Sequence, residues 1–346
     1  MNIHVVMGGP SAEFAVSLAS ARMVIEHLLN ANHTVKGVVI TRNREFFVTG
    51  SLEQTPSLTE LSDPASSGRM DGPFLPAASQ PVWNGCEKAF LALHGSFGED
   101  GVIQGYLDTL GIPYTGSGVR ASALAMDKCL TKHLYTRCDI PTPPWLTINT
   151  SGERSTISRI IETLGLPCFV KCPQSGSSLL MGRADTQEEL QALLAALLKH
   201  SSQVLVEKMI KGIELSCGVL EYADGSVLPL PPVEIRPRNA LFFDHHAKYD
   251  QQGSEELVPA PRDTHLLQEV QRLALAAHHL LGCRGVSRTD MIFAHETLYV
   301  LETNTLPGLT PTSLLPRSFA AQGGSYTGLL EVLLSTAHCA SYGTAP

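Results

Sequence analysis

The sequence contains little charge and no basic run. Only 17% of its 346 residues are Asp, Glu, Lys or Arg, against about 25% in typical soluble domains. The formal net charge of -8 and the pI of about 5.9 argue against a general nucleic-acid binder. A hydrophobic share of 43% and a mean hydropathy of +0.06 exclude a disordered chain. At roughly 150 residues per domain, the length predicts two or three domains.

The sequence also lacks a membrane-spanning segment, a secretory signal and a paired cysteine motif. The best apolar stretch, residues 273–283, is interrupted by His278 and His279 and is shorter than the roughly 18 residues that a span needs. The amino terminus has no charged start followed by a long apolar run. The eight cysteines include no C-x-x-C, which argues against a zinc site. We therefore predict reduced thiols in a cytoplasmic protein that does not bind membranes.

Common catalytic signatures are missing as well. The chain has no G-x-S-x-G, no H-E-x-x-H and no G-x-x-x-x-G-K-[ST] phosphate loop. The segment GSGVRA at residues 116–121 fits a dinucleotide fingerprint, but no clear strand precedes it. We interpret it as the start of a helix. A nucleotide-binding oxidoreductase built on this segment is the alternative from a different functional class.

Strand and helix patterns alternate along the chain. The apolar run IHVVM ends at Gly8-Gly9 and is followed by an amphipathic stretch and by VKGVVI, an order that predicts a βαβ unit with a parallel sheet. Residues 50–85 are rich in Ser, Pro and Gly and predict a surface insertion or long loop. Further on, we expect one helical stretch around Met126-Asp127-Lys128, strands at LPCFVK and VLVEK on either side of a helix at 187–199, and a helix at 264–281.

Two short apolar runs, MIFA and LYVL, predict a β-hairpin whose turn contains residues 295–297. Residues two apart on a strand share a face, so Arg288 and Asp290 point one way, as do Glu302 and Asn304. In a paired hairpin all four can share one surface. Two carboxylates and an amide then form a hard oxygen cluster suited to Mg²⁺. The alternative is a solvated hairpin face with a surface salt bridge.

Two other segments are candidates for ligand contacts. KCPQSGSS, at residues 171–178, places Lys171 before a loop of small residues, whose backbone N–H groups could surround phosphate oxygens. An ordinary β-turn is the alternative there. His94 follows an apolar strand and precedes GSFGEDG, and the carboxyl ends of strands are where α/β sheets bind ligands. A histidine at this place can equally be a structural hydrogen-bonding residue.

Several segments together resemble the D-alanine–D-alanine ligases of the ATP-grasp superfamily. They follow the family's order from residue 3 to about residue 316, and they are GGPSAEFAVSL, ALHGSFGEDGVIQGYLDTLGIPYTGSGVRASALAMDK, FVKCPQSGSS, VLVEKMIKGIE, FFDHHAKY, GCRGVSRTDM and LETNTLPGLTPTSLLP. The resemblance implies a mixed α/β, three-domain ATP-grasp fold with an N-terminal parallel-sheet α/β domain. The implied domains are residues 1–116 on the substrate side, 117–207 as the central domain and 208–346 with the metal and catalytic residues.

The resemblance implies an enzyme that joins two D-alanines through an acylphosphate, using ATP and two Mg²⁺ (or Mn²⁺), for the peptidoglycan precursor. It also implies a homodimer. The implied site residues, by role, are Glu13, Ser177, Tyr249, Arg288 and Gly308 in catalysis; His94, Ser313 and Leu314 at the amino-acid substrates; Lys128, Lys171, Glu207, Lys208, Ile210, Glu214 and Lys248 at the nucleotide; and Asp290, Glu302 and Asn304 at the metals.

The chain departs from the family pattern mainly on the substrate side. Phe14-Ala15 replace charged or polar residues, Cys172 replaces a proline, Ser175 replaces a glutamate, and His245-His246 replace an aromatic residue and an acid. These changes leave the implied nucleotide and metal residues in place. A related ligase with D-serine, D-lactate or another D-amino acid as acceptor is therefore the alternative prediction.

Overall fold

The computed structural model describes residues 1–149, 154–174, 180–237 and 254–340. Within these ranges the strands form three sheets. The first sheet contains β1 (Asn2–Gly8), β2 (Thr34–Ile40), β3 (Phe46–Thr49), β4 (Met70–Phe74) and β5 (Lys88–Leu91). The second contains β6 (Trp145–Ile148), β7 (Cys168–Lys171), β8 (Met181–Ala184) and β9 (Val204–Lys208). The third contains β10 (Ile213–Glu221), β11 (Val227–Pro229), β12 (Val233–Pro237), β13 (Ser254–Leu257), β14 (Val286–Ala294) and β15 (Thr297–Asn304).

The described helices cover the faces of these sheets. Their bounds are α1 (Phe14–Asn30), α2 (Leu58–Ser62), α3 (Val102–Leu110), α4 (Val119–Met126), α5 (Lys128–Arg137), α6 (Arg154–Leu164), α7 (Gln187–Leu197), α8 (Thr264–Leu281), α9 (Leu314–Ala321) and α10 (Tyr326–Ser335). None of these helices is long and apolar enough to cross a membrane. All eight cysteines are free thiols.

The first sheet has the order β4-β3-β2-β1-β5 and begins with the predicted βαβ unit. Strand β1 pairs in parallel with β2 and with β5, and α1 crosses between β1 and β2. The last residue of β1 has to be glycine, because Gly8 has φ +88° and a Cβ there would lie 2.3 Å from the Ile40 carbonyl oxygen. Strands β3 and β4 are antiparallel, so the sheet is mixed.

The prediction of a loop over residues 50–85 is wrong in part. The segment contains α2, β4 and two 3-10 turns at Pro76–Ala78 and Gln80–Trp83. A capping box between Ser57 and Glu60 starts α2. Strand β4 lies at the sheet edge and is largely exposed, so it has no buried side on which an apolar alternation would be visible in the sequence.

The second and third sheets are antiparallel, with orders β6-β9-β7-β8 and β13-β12-β10-β14-β15; β11 pairs with β10. The predicted strands at LPCFVK and VLVEK are confirmed as β7 and β9, with α7 between them in the chain. Helix α8 covers the third sheet and matches the predicted residues 264–281. The Asp263 side chain caps its first turn, and Gly282, at φ +69°, ends it.

The carboxyl-terminal part of the chain returns to the first sheet. Helix α10 packs on α1, and just after the end of α1 the Nε2 of His33 lies 2.7 Å from Glu331 Oε1 of α10. The Lys88 ammonium donates to the Leu334 carbonyl at 2.7 Å, and an isolated bridge joins Tyr114 to His338. The sheets follow one another in the order of the predicted domains, whose boundaries remain a prediction.

Candidate active site

A cavity of about 1140 Å³ is lined by residues from all three sheet regions. This is slightly more than the ~300–1000 Å³ of common small-molecule pockets, so more than one small ligand can fit. Fifteen of the predicted site residues line it: Glu13, His94, Lys128, Lys171, Glu207, Lys208, Ile210, Glu214, Arg288, Asp290, Glu302, Asn304, Gly308, Ser313 and Leu314. Ser177, Lys248 and Tyr249 lie outside the described residues. The structure thus brings the described candidates together around one space, and their individual roles remain predictions.

The predicted hairpin is confirmed as β14 and β15, and it places its four polar residues on one surface. Arg288 pairs with Asn304 across the strands, and Asp290 pairs with Glu302. The Arg288 guanidinium donates to both oxygens of Asp290, at 2.9 and 2.8 Å. Burial opposes the charge of Arg288, but the Asp290 carboxylate outweighs it and holds the pKa of Arg288 above its ordinary value. This surface faces the cavity, which favours a binding role over a hairpin face that is only solvated, and the metal and catalytic roles remain predictions.

Lys128 reaches the same surface from the start of α5. The predicted single helical stretch is interrupted here, because the Asp127 side chain accepts from the backbone N–H groups of Cys129 and Leu130 and starts a new helix. Lys128 is the first residue of that helix, and its Nζ lies 3.2 Å from Glu302 Oε2. The second Asp127 oxygen accepts from the Gln174 amide at 3.1 Å. The N-cap thus holds Lys128 next to the turn that follows β7.

Lys171, at the end of β7, forms an ion pair with Glu207 on the neighbouring strand β9. Lys132, one helical turn after Lys128, pairs with the other oxygen of Glu207 and donates to Thr142 Oγ1 at 2.6 Å. Burial alone would raise the pKa of Glu207, but the two ammonium groups outweigh it and hold that pKa well below its ordinary value. A fully ionised carboxylate therefore sits between two lysines at the cavity wall.

His94 is buried and keeps a defined tautomer. Its Nδ1 lies 3.2 Å from the Leu306 carbonyl oxygen, which can only accept, so Nδ1 carries the proton. Its Nε2 then accepts from the Ser20 hydroxyl of α1 at 3.2 Å. Burial lowers the pKa of His94, against the opposing effect of Glu13. The ring is therefore neutral at physiological pH.

Two carboxyl groups, those of Glu13 and Glu99, share the end of the cavity near His94. Glu99 Oε1 accepts from the Gly95 N–H at 2.8 Å. Burial and, next, the Glu13 carboxylate raise the pKa of Glu99 to about 8. Gly95 has φ +70°, and a Cβ there would lie 2.7 Å from Glu13 Oε2. Glycine therefore lets the Glu13 carboxylate lie against the backbone of the turn.

The Gly308 to Ser313 turn forms another part of the wall. Ser313 is the N-cap residue of α9. Its Oγ lies 2.7 Å from Thr310 Oγ1 and would lie 2.8 Å from a Cβ placed on Gly308. The backbone of Gly308 and the hydroxyl of Ser313 therefore approach each other closely, and Leu314 begins the helix beside them.

The residues that depart from the family pattern differ in whether they line the cavity. Phe14 packs against the first-sheet core and lies 5.1 Å below the Arg42 guanidinium, while Ala15 lines the cavity. Cys172 is buried, with its Sγ 3.9 Å from the Leu197 carbonyl oxygen, although part of it also lines the cavity. Of the pair at 14–15, only the small side chain changes the cavity wall. Ser175, His245 and His246 lie outside the described residues.

The GSGVRA segment is the start of a helix, which confirms the prediction from the sequence. Gly118 is the N-cap of α4, and the Ser117 hydroxyl accepts from the Arg284 backbone N–H at 3.1 Å. A Cβ on Gly116 would lie 2.8 Å from the Leu306 side chain. The glycine at position 116 therefore allows a close contact with a residue that is far away in sequence.

The hairpin surface fits a divalent metal by the chemistry of its donors. Asp290, Glu302 and Asn304 offer the hard oxygen atoms that Mg²⁺ prefers, and Ser216 Oγ orients Asp290 by donating to it at 2.6 Å. Across the described ranges no three His, Cys, Asp or Glu side chains gather as a metal site. The amide oxygen of Asn304 would therefore have to complete the set.

Sequence reasoning assigned no role to several polar residues around the cavity. Glu99 belongs to the segment GSFGEDG that follows His94. Nothing in that segment indicates that the pKa of Glu99 is raised, because burial and Glu13 cause the shift. Lys132 lies four positions after Lys128, and this spacing places both residues on one side of a helix. Nothing in the neighbouring sequence indicates that Lys132 is buried. Arg317 pairs with Glu256 at the cavity wall and donates to its carbonyl oxygen at 2.7 Å. This contact joins α9 to β13 and depends entirely on tertiary structure.

Comparison with known families decides the assignment. The model described as D-ala D-ala ligase N-terminus matches residues 2–117, and the one described as D-ala D-ala ligase C-terminus matches residues 134–335. The chain belongs to the D-alanine–D-alanine ligase family. A relative from Leptospira biflexa, named D-alanine–D-alanine ligase, is 39% identical to this chain. The match spans 97% of this chain and 99% of the relative. One from Desulfotalea psychrophila is 40% identical over 96% of this chain and 94% of its own length.

Solved structures agree with the ligase family and its ATP-grasp fold. The VanG D-Ala:D-Ser ligase from Enterococcus faecalis matches with a TM-score of 0.82 and 29% identity, over 96% of this chain and 98% of its own. A D-alanine–D-alanine ligase from Bacillus anthracis, solved in complex with ATP, matches with a TM-score of 0.75 and 31% identity, over 97% and 96%. The predicted mixed α/β, ATP-grasp fold is confirmed by these matches, and the division into domains remains a prediction.

Proposed function

We propose that this chain is an ATP-dependent, ADP-forming ligase that joins two D-alanines into D-alanyl-D-alanine for peptidoglycan synthesis. The observation that carries the proposal is the cavity, where lysine and arginine side chains from α5, β7 and β14 converge with the carboxylates of the hairpin. A carboxylate and an amine do not condense at neutral pH without activation, and such a set of charges suits transfer of a phosphoryl group to a carboxylate.

In the first step, a carboxylate oxygen of one D-alanine bonds to the γ-phosphorus of ATP and ADP leaves, which yields an acylphosphate. Lys128 and Lys171, together with Lys248 outside the described residues, would contact the phosphates. Glu207, Lys208 and Ile210 would line the adenine, and Glu214 the ribose. Asp290, Glu302 and Asn304 would hold two Mg²⁺ (or Mn²⁺), which neutralise phosphate charge when bound.

In the second step, the amine of the second D-alanine bonds to the acyl carbon, loses a proton, and phosphate leaves. Arg288 and the Gly308 N–H would stabilise the negative oxygen of the tetrahedral intermediate. Ser313 and Leu314 would hold the second carboxylate. Glu13 would bind the amine of the first D-alanine, with His94 beside it and Ser177 and Tyr249 completing the group.

A D-alanine–D-serine ligase is the second candidate, supported by the fold match to the D-Ala:D-Ser ligase. The test supplies ATP, Mg²⁺ and D-alanine, alone or with D-serine or D-lactate, and measures phosphate release and the products by mass. Phosphate release with D-alanine alone and a dipeptide product support the proposal. Release that requires D-serine supports the second candidate, and no release with any acceptor refutes both.

We further propose a cytoplasmic homodimer that does not bind nucleic acid or membranes. Eight free thiols suit a reducing compartment, and a formal net charge of -8 without a basic run in the sequence argues against nucleic-acid binding. Size-exclusion chromatography with light scattering tests the dimer, and fractionation of cells that express the chain tests the location. A monomer at micromolar concentration would contradict the first statement.

A further inference from the structure

Lys132 is an ammonium group that no ligand in the cavity can reach. The residue is 0% exposed and, unlike its partners Glu207 and Lys171, it does not line the cavity. Its Nζ is held between Glu207 and the Thr142 hydroxyl. Burial lowers the pKa of Lys132, and the Glu207 carboxylate opposes this effect. Burying a charged lysine this deeply costs much desolvation free energy. We therefore expect Lys132 to have a partner whose own stability depends on its positive charge.

Three cations that line the cavity, unlike Lys132, can be reached by a ligand. Lys128 pairs with Glu302, Arg288 with Asp290, and Lys171 with Glu207. Each can exchange its carboxylate for a phosphate or carboxylate of a ligand. When Lys171 moves to a phosphate, Glu207 loses one of its two counter-charges. Because Glu207 is 2% exposed, water cannot replace that charge, and a buried carboxylate without a partner is strongly destabilised.

We propose that Lys132 is a positioning residue for nucleotide recognition, a fixed counter-charge that keeps Glu207 ionised and oriented while Lys171 exchanges between Glu207 and phosphate. This inference rests on the proposed function, in which Glu207 faces adenine. Its consequence is base selectivity. The exocyclic amine of adenine donates to an ionised carboxylate, whereas guanine presents a carbonyl oxygen at the same position, which a carboxylate repels.

The experiment measures binding of non-hydrolysable ATP and GTP analogues, with Mg²⁺ and without D-alanine, by calorimetry. Lys132→Met should weaken binding of the ATP analogue about 10- to 100-fold and reduce its preference over the GTP analogue. In a Glu207→Gln background no buried carboxylate needs a counter-charge, so Lys132→Met should cause no further loss of analogue binding. Thr142→Val, which only removes the hydroxyl that holds Lys132, should give a smaller loss in the wild-type background and none in Glu207→Gln. Thr142→Val also serves as the test if Lys132→Met does not fold.

The outcomes separate this inference from the proposed function. Equal losses from Lys132→Met, or from Thr142→Val, in both backgrounds would show a merely structural role and overturn the inference. Unchanged binding of the ATP analogue in Glu207→Gln would overturn it too, because Glu207 would then not face the base. Phosphate release with D-alanine is a separate measurement, so the ligase assignment can fail while analogue binding behaves as proposed.

Discussion

Replacing Glu99 with Gln should make the free energy of unfolding less dependent on pH. Burial and the Glu13 carboxylate raise the pKa of Glu99 from 4.5 to about 8 in the folded protein. The folded state therefore keeps a proton that the unfolded state releases. The stabilisation from this proton is complete below the unfolded pKa and is lost as the pH rises through the folded value.

The size of the effect follows from the shift. At about 1.36 kcal/mol per pKa unit, the Glu99 carboxyl destabilises the fold at about pH 7.5 by roughly 2.5 kcal/mol more than at about pH 5.5. Gln has no proton to exchange. The difference in unfolding free energy between Glu99→Gln and the wild type should grow by about this amount between the two pH values.

Urea denaturation in a Trp145→Phe background measures this difference, because Trp83 then reports alone. Trp83 is buried in the same apolar cluster as Phe97, two residues before Glu99. Glu26→Gln, an identical change at an exposed position of α1, is the control and should leave the pH dependence unchanged. Equal pH dependence in wild type and Glu99→Gln would refute the electrostatic picture of this end of the cavity.

Two further changes test other parts of the cavity. Glu302→Gln keeps the side-chain shape but removes the charge that faces Lys128, so phosphate release should fall about 10²-fold or more with the melting temperature nearly unchanged. Wild-type turnover in this variant would contradict the role of Glu302. The control is Glu296→Gln, in the turn of the hairpin that contains Glu302. Gly95→Ala places a methyl group 2.7 Å from Glu13 Oε2 at φ +70°, so stability should fall by about 1–2 kcal/mol and the KM for D-alanine should rise. A stability loss without a change in KM would show that Glu13 does not bind the substrate.

Local patterns in the sequence were sufficient for much of the fold. The order of apolar run, glycine turn and amphipathic stretch predicted the β1–α1–β2 unit, because a strand and a helix each bury residues at their own short period. The hairpin at β14 and β15 was predictable for the same reason. A period of two places Arg288 and Asp290 on one face wherever the strand lies, and likewise Glu302 and Asn304.

The pairing of charges was decided only by tertiary structure. Lys128 and Glu302 are 174 positions apart and meet because α5 and the third sheet enclose one cavity. Lys132 differs from Lys128 by one helical turn, yet one is buried behind the wall and the other lines it. The raised pKa of Glu99 likewise depends on burial and on Glu13, which is distant in sequence. Periodicity fixes the face on which a side chain lies, but desolvation and Coulomb interactions depend on distances between elements, which exist only after the sheets have packed.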